Sequence, residues 1–251
     1  MRASVTAATV ALLLFPNAAK AADMKLISSV GVRPVIEELV PQFERASGHK
    51  VEIMFGTAVQ MKAKADAGEP FDLAILNPPQ IDDLIKQGKA EAATRADIAR
   101  SGMGFAISQN ATKPDIATDE KLKAYLRSVK TIATGNPAAG GFGSVFFDRL
   151  VERLGIAGET RPKTRHEAPG DFAKPVAAGQ ADLGVGLISE IVSIKGVQSV
   201  ALMPDDPASF VRFAAAVGSG ARQAEAARAL LKFLATPAAV EVFKAKGLTP
   251  G

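Results

Sequence analysis

The residues best suited to chemistry stand where a predicted strand ends and a helix begins. In the segment "FGTAVQ", Gly56 and Thr57 separate an apolar strand from helix-forming residues, with Ala58 as the first helical residue. The first turn of a helix has unpaired backbone N–H groups and the positive end of the helix dipole, which together favour an anion. Thr57 and Gln60 also fit a T-x-x-Q capping box, which needs no ligand. The junction is therefore consistent with an anion site or with ordinary capping.

Two further segments have the same character, a strand end followed by small residues and a helix. The positions that could approach a ligand are Ser28, Ser29 and Gly31 in "SSVG", and Gly140, Gly141 and Ser144 in "NPAAGGFGS". Glycines permit close approach of the backbone, and the serine hydroxyls can donate hydrogen bonds. The two serines of "SSVG" can equally be ordinary strand-end residues. The glycine-rich segment matches neither nucleotide-binding pattern, G-x-x-x-x-G-K-[ST] or G-x-G-x-x-G.

Composition excludes several classes of function. The 251 residues contain no cysteine, which excludes disulfides and thiolate chemistry. The two histidines are isolated in the sequence, so they give no argument for a Ser/His/Asp arrangement and disfavour a transition-metal site. The formal net charge of +4 is spread along the chain without a Lys/Arg cluster, so we expect no nucleic-acid partner. We therefore expect a binding protein without a cofactor, and not an enzyme.

The N-terminal segment, residues 1–22, has the three parts of a secretory signal peptide. Arg2 supplies a positive charge, an apolar stretch spans residues 5–15, and small residues follow around Ala21. This stretch of eleven residues, apolar except for Thr6 and Thr9, is too short to span about 30 Å of hydrocarbon. The sequence predicts export and cleavage, and hence a mature protein in the periplasm.

Strands and helices alternate along the rest of the chain. The first five predicted elements are a strand at 24–30, a helix at 33–48, a strand at 50–55, a helix at 57–67 and a strand at 71–76. An irregular region is predicted before residue 102, and further strands are predicted at 130–135 and 210–218. A βαβαβ pattern with continuous apolar strands predicts an α/β fold, with a parallel sheet covered by helices on both faces.

Four segments resemble the type II periplasmic solute-binding proteins, and most closely their molybdate-binding branch: "FERASGHKVEIMFGTAVQMKAKADAGEPFDLAIL", "IATGNPAAGGFGS", "AAGQADLGVGLIS" and "EAARALLKFLATPAAVEVFKAKGLTP". The resemblance implies two Rossmann-like lobes with mixed, mainly parallel sheets, joined by crossover segments near 102–108 and 210–217. Lobe one would comprise residues 23–101 and 212–251, and lobe two residues 102–211. It also implies a monomer that closes around a solute and delivers it to a membrane ABC permease. A sensor or a tripartite transporter is the alternative partner.

The resemblance also implies that five loops meet between the lobes. Besides the three segments above, these loops are "LNPP" with Asn77 and "GLISE" with Ser189. The chain departs from the molybdate-binding pattern, because Gly31 stands where the family offers a serine, Thr57-Ala58 replaces a serine pair, and Leu187 replaces a tyrosine. The predicted ligand is therefore a small anion, either a molybdate-like oxyanion or a carboxylate.

Cationic side chains near these loops suit the carboxylate alternative. Arg33 and Lys62 lie in the first or second turns of two helices that would point at the ligand, and an arginine there can pair bidentately with a carboxylate. Arg165 and His166 are further candidates. Each of these side chains can equally be an ordinary solvated surface residue.

Overall fold

A computed structural model describes residues 23–203 and 206–251, so the predicted signal peptide lies outside the described residues. The strands are β1 Asp23–Ser29, β2 Lys50–Gly56, β3 Leu73–Leu76, β4 Ala96–Ser108, β5 Ile132–Gly135, β6 Thr164–Glu167, β7 Leu183–Leu187, β8 Val197–Ala201, β9 Phe210–Val217 and β10 Thr249–Pro250. The α-helices are α1 Arg33–Ser47, α2 Ala58–Asp66, α3 Pro78–Lys86, α4 Asp119–Ser128, α5 Phe142–Arg153, α6 Ala157–Thr160, α7 Lys174–Ala177, α8 Ile188–Ile191, α9 Ala224–Leu234 and α10 Pro237–Ala245.

The strands form two sheets that share β4. The first sheet has the order β2-β1-β3-β9-β4, in which β1 is parallel to β2 and β3, and β9 is antiparallel to both of its neighbours. In the second sheet β4 pairs with β7 and β8, and β7 leads through β5 to β6 by parallel pairing. Each sheet carries helices, so the predicted fold class, two α/β lobes with mixed sheets, is confirmed. The sheets are less parallel than predicted, because β4 and β9 run antiparallel to their neighbours.

The chain passes between the sheets in two places. Strand β4 pairs with β9 up to Gly102 and with β7 and β8 from Met103 onward, so one continuous strand makes the first crossing near the predicted position. All partners of β9 lie in the first sheet, so the second crossing lies between β8 and β9, slightly before the predicted 210–217. The division into lobes at residues 101, 102, 211 and 212 remains a prediction.

The amphipathic helix α1 illustrates how the first sheet is covered. Its apolar face buries Val35, Ile36, Leu39, Val40 and Phe43 in the main core. Pro34 stands in the first turn, where its missing N–H costs no hydrogen bond, and Gly48 ends the helix in the left-handed conformation with φ of 77°. These local signals are visible in the sequence, so the predicted helix agrees with α1.

The sequence predicts neither β6, β8 and β10 nor the first half of β4. The region before residue 102 was expected to be irregular, but β4 begins at Ala96 and contains a register shift between Asp97 and Ala99. Strand β6 is polar and short, and β8 is only partly buried. Both strands pair with a neighbour that is distant in sequence, and the residues of β6 carry little of a strand pattern. Among the described residues, no helix is long and apolar enough to cross a membrane.

Candidate functional site

A small cavity of about 60 Å³, here called the inner cavity, lies between the two sheets. Most of its walls come from the ends of β1, β2, β3, β5 and β7 and the segments that follow them, and the rest come from the segment after β6 and from β9. Most of the walls thus lie at the carboxyl ends of strands, where open α/β sheets bind their ligands. Eight residues predicted to bind ligand line this cavity: Ser29, Gly31, Thr57, Ala58, Asn77, Gly140, Gly141 and Ser144.

The N-terminus of α2 forms one wall of the inner cavity. The predicted capping box is present, because Thr57 Oγ1 accepts a hydrogen bond from Gln60 N at 3.1 Å and Gln60 Oε1 accepts one from Thr57 N at 3.0 Å. The capping box does not pair the backbone N–H groups of Ala58 and Val59, and these groups have no acceptor within the helix. Ala58 lines the cavity, so α2 can offer a backbone donor and its positive dipole end to an anion.

The N-terminus of α5 forms the facing wall. Gly141 is its N-cap and supplies no side-chain hydrogen bond, and Gly140 precedes it in the left-handed conformation with φ of 71°. Phe142, Gly143 and Ser144 line the cavity as the first turn, whose N–H groups have no acceptor within the helix. The Ser144 hydroxyl already donates to Gly141 O at 2.9 Å, so α5 presents mainly backbone donors.

Two hydroxyl groups join the sheets across the site. Thr57 Oγ1 donates to Ala139 O at 2.6 Å, and the buried Ser189 Oγ donates to Gly31 O at 2.8 Å. Both hydroxyls hold one lobe to the other and are not directed at a ligand.

Four of the predicted binding residues lie outside the lining of the inner cavity, and the side chain of a fifth, Asn77, is engaged within the protein. Ser28, Arg33, Gly56 and Ser189 do not line the inner cavity. Ser28 is fully buried, and its Oγ donates to Ser29 O at 3.3 Å. The α-carbon of Gly56 faces the Met61 side chain. Asn77 does line the cavity, but its Nδ2 donates to Arg212 O at 3.0 Å.

The cationic candidates also lie outside the inner cavity. Arg33 lines a neighbouring cavity of about 460 Å³, and its guanidinium lies over the Phe55 ring, 4.9 Å from the ring centre. Lys62 forms ion pairs with Asp66 at 2.5 Å and with Asp83 at 2.6 Å, which accounts for its charge without a ligand. Arg165 donates to Gln180 O at 2.7 Å, and His166 Nδ1 lies 3.2 Å from Gly135 O.

The side chains of Phe213 and Leu187 form an apolar surface against Gly31. A Cβ atom at Gly31 would lie 2.5 Å from Phe213 Cζ and 2.8 Å from Leu187 Cδ1. No real Cβ makes contacts this short, so a serine at position 31 requires these side chains to move. The glycine, the phenylalanine and the leucine therefore form one packed unit in which the serine and tyrosine of the molybdate-binding pattern are both absent.

Glu190 forms the wall between the inner cavity and the cavity lined by Arg33. Burial raises the pKa of its carboxyl group to about 7, opposed by the hydrogen bond from Leu187 N and by the positive charge of Arg33, while Asp171 raises it further. The hydrogen bond from Leu187 N to Glu190 Oε2 measures 3.3 Å. An ionisable group that changes charge near neutral pH thus lies beside the candidate anion site.

Several lining residues were not predicted: Phe142, Gly170, Phe172, Glu190, Val211 and Phe213. Glu190 belongs to the predicted loop "GLISE", so that loop was identified but this residue was not singled out. The others are apolar residues and a glycine, which carry no chemical signature in the sequence. Among the described residues, no group of three His, Asp or Glu side chains could hold a metal ion.

The chain is similar to bacterial solute-binding proteins over almost all of its described length. A family model for the bacterial extracellular solute-binding proteins matches residues 24–249. A Pseudomonas sp protein named aconitate isomerase is 29% identical over 233 residues, covering 90% of this chain and 87% of that protein. Molybdate-binding protein ModA of Escherichia coli is 25% identical over 230 residues, covering 89% and 88%. The solved structure of the Azotobacter vinelandii periplasmic molybdate-binding protein aligns with a TM-score of 0.71 at 18% identity, covering 90% and 98%.

Proposed function

We propose that this chain, which belongs to the bacterial extracellular solute-binding proteins, encloses a small anion in the inner cavity and delivers it to a membrane permease. The observation that carries the proposal is the convergence of α2 and α5 on one cavity. The two helices belong to different lobes, and both direct the first turn toward the same space. Closing the lobes would therefore surround an anion with backbone donors and two positive dipole ends.

The energetics require closure of the lobes as well as helix ends. One helix end contributes about 0.3–1 kcal/mol, and up to about 2 kcal/mol when partly buried. Micromolar affinity corresponds to about 8 kcal/mol, so two helix ends alone are insufficient. Exclusion of water strengthens every hydrogen bond to the ligand, and the Thr57 and Ser189 hydrogen bonds between the lobes favour the closed state.

The ligand class that the cavity favours is a carboxylate. The nearby hydroxyls of Thr57, Ser144 and Ser189 donate within the protein, and Phe213 occupies the space beside Gly31. Ser29, whose Oγ accepts a hydrogen bond from Gly31 N at 3.4 Å, is the one described lining hydroxyl that can still donate to a ligand. A tetrahedral oxyanion would lose hydroxyl donors that the molybdate-binding pattern supplies. The N–H groups of two facing helix ends can hold a planar carboxylate. The carbon atoms of that ligand would then contact the apolar surface formed by Phe213 and Leu187.

The predicted signal peptide supports a periplasmic location. Export would place the protein where an ABC permease can receive the solute, and we propose that partner in preference to a sensor or a tripartite transporter. Fractionation of the native cells tests the location, and a cytoplasmic protein would contradict it.

Calorimetric titration of mature protein, residues 23–251, with molybdate, sulfate, acetate, cis-aconitate and trans-aconitate tests the ligand class. We expect at least one carboxylate to bind with a Kd of about 1 μM or tighter. Tight binding of molybdate without any response to carboxylates would contradict the carboxylate assignment. The absence of binding to every anion would contradict the proposed function.

A matched pair of variants at Ala58 tests the role of the helix end. Proline is favoured at the first helical position, and the extended conformation of Thr57, with φ of −66° and ψ of 155°, is compatible with a following proline. Ala58→Pro removes one N–H donor from the cavity wall and should weaken anion binding by about tenfold. Ala58→Gly retains the donor and should bind normally. Equal affinities in the two variants would exclude the α2 donor from the site.

An isomerase activity is a second candidate function, and Glu190 favours it. A carboxyl group with a pKa of about 7 at the ligand cavity can act as an acid or a base near neutral pH. The relative named aconitate isomerase makes unsaturated acids the substrates to test. Chromatography of cis- and trans-aconitate after incubation with the protein distinguishes the two functions. Turnover that is lost in Glu190→Gln would establish the enzyme, and unchanged acids would support the binding protein.

A further inference from the structure

A larger groove of about 660 Å³, here called the outer groove, adjoins the inner cavity. The two spaces share Asn77, Gly140, Phe142 and Val211 in their walls. A ligand whose head occupies the inner cavity can therefore extend past Phe142 and Val211 into the groove.

Two arginines that line the outer groove, one from each lobe, have no side-chain partner among the described residues. Arg149 projects from α5 and Arg212 from β9, and both side chains are exposed. Within residues 23–203 and 206–251, neither guanidinium forms a hydrogen bond or an ion pair. By contrast, Arg153 in the same groove pairs with Asp119 at 2.7 Å, so its charge is compensated.

The rest of the groove is mainly apolar. Phe142, Phe146 and Phe210 line it, and Val59 is 49% exposed at its edge. The described acidic residue in the groove, Asp206, accepts a hydrogen bond from Ala208 N at 2.8 Å. Among the described residues, two arginines without an ion pair thus lie beside an apolar wall, which suits a molecule with a hydrocarbon segment that ends in an anionic group.

We propose that the outer groove is a second anion subsite, which makes the ligand an organic acid with at least two carboxylates joined by a hydrocarbon segment. This inference rests on the proposed function. The first carboxylate lies in the inner cavity at the ends of α2 and α5. The hydrocarbon segment contacts Phe142 and Val211, and the far carboxylate pairs with Arg149 and Arg212.

Matched acids provide the test. Dicarboxylates from succinate to suberate are titrated into the mature protein beside the monocarboxylates with the same numbers of carbon atoms. The measured quantity is the ratio of the monocarboxylate Kd to the dicarboxylate Kd at each length. We expect a ratio of about ten or more at the length that spans the two subsites, because a charge-assisted hydrogen bond contributes about 1.5–3 kcal/mol.

Two variants then assign the effect to the groove. In Arg149→Ala/Arg212→Ala the ratio should fall to about one, because the far carboxylate loses both partners. Arg222→Ala removes the same type of charge from an exposed position that lines neither space, and its ratio should equal that of the unchanged protein.

The outcomes separate this inference from the proposed function. A ratio near one at every length in the unchanged protein would overturn the second subsite, whereas binding of the monocarboxylates would still support the inner site. A high ratio that persists in the double variant would also overturn it. Failure of every acid to bind would overturn both.

Discussion

Thr57 and Ala139 are joined by a hydrogen bond of 2.6 Å between two segments that lie 82 residues apart in the chain and belong to different lobes. The same Thr57 oxygen accepts the capping hydrogen bond from Gln60 N. One hydroxyl group therefore caps the first turn of α2 and also holds the two lobes together. The conformation of the helix end that faces the cavity is thus coupled to the contact between the lobes.

Replacing Thr57 by valine should remove both of these hydrogen bonds. We expect the free energy of unfolding to fall by about 1–3 kcal/mol, the sum of a lost helix cap and a lost hydrogen bond. Urea denaturation of the mature protein measures the change. Thr57→Ser retains the hydroxyl and should remain within about 0.5 kcal/mol of the original stability. A valine variant as stable as the serine variant would show that the hydroxyl contributes nothing.

Ser189→Ala should destabilise the protein even without a ligand. The substitution leaves Gly31 O without the hydrogen bond from Ser189 Oγ, at a cost of about 1–3 kcal/mol. Ser193→Ala changes an exposed serine two residues beyond α8 and serves as the control. If Ser189→Ala weakens anion binding but leaves the unfolding curve unchanged, the hydroxyl serves the ligand and does not hold the lobes.

Gly31→Ala should introduce a collision with Phe213. The added Cβ would lie 2.5 Å from the ring, and overpacking of this kind costs about 1–3 kcal/mol. Phe213→Leu shortens the side chain, so the cost of Gly31→Ala should be smaller in that background. Denaturation of the two single variants and the double variant measures this coupling. Strictly additive costs would contradict the packing relationship.

Stability should fall between about pH 4.5 and pH 7 because of Glu190. The folded protein retains a proton up to a pKa of about 7, whereas the unfolded carboxyl group releases it near 4.5. Folding therefore takes up a proton in this range, and the contribution is complete below pH 4.5 and lost as the pH rises through 7. Its upper limit is about 3 kcal/mol.

Glu190→Gln provides the comparison for this pH effect. Glutamine is uncharged and can still accept the hydrogen bond from Leu187 N, so the decrease in stability over this range should be reduced. Denaturation midpoints at four or five pH values suffice. The charges of Arg33 and Asp171 act on the same carboxyl group, so Arg33→Met should raise its pKa further. Equal slopes in the original protein and in Glu190→Gln would assign the decrease to other groups.

Local signals in the sequence correctly predicted much of the fold. The capping box at Thr57 and Gln60 requires residues three apart, and the end of α1 requires a glycine in the left-handed conformation at Gly48. Both depend on a few neighbouring residues. The resemblance to type II periplasmic binding proteins of the molybdate-binding branch is confirmed by the comparisons.

Features that depend on distant partners were not predictable in the same way. Strand β6 is stabilised by pairing with β5, and its four residues are polar and carry little of a strand pattern. Arg33 stands at the start of α1 as expected, but its side chain turns to Phe55 and the neighbouring cavity. Helix position is encoded locally, whereas side-chain direction depends on the packing of other segments.

The amino-acid sequence by itself determined the α/β class, the strand–helix junctions and the depletion of hydroxyl groups around Gly31. Only the tertiary structure decided which of those groups face the inner cavity. It placed Phe213, 182 residues beyond Gly31, against that glycine, and it brought Arg149 and Arg212 to the same groove. The physical reason is that capping and periodicity act over one or two helical turns, whereas a cavity is formed by side chains that meet only after the two sheets have assembled.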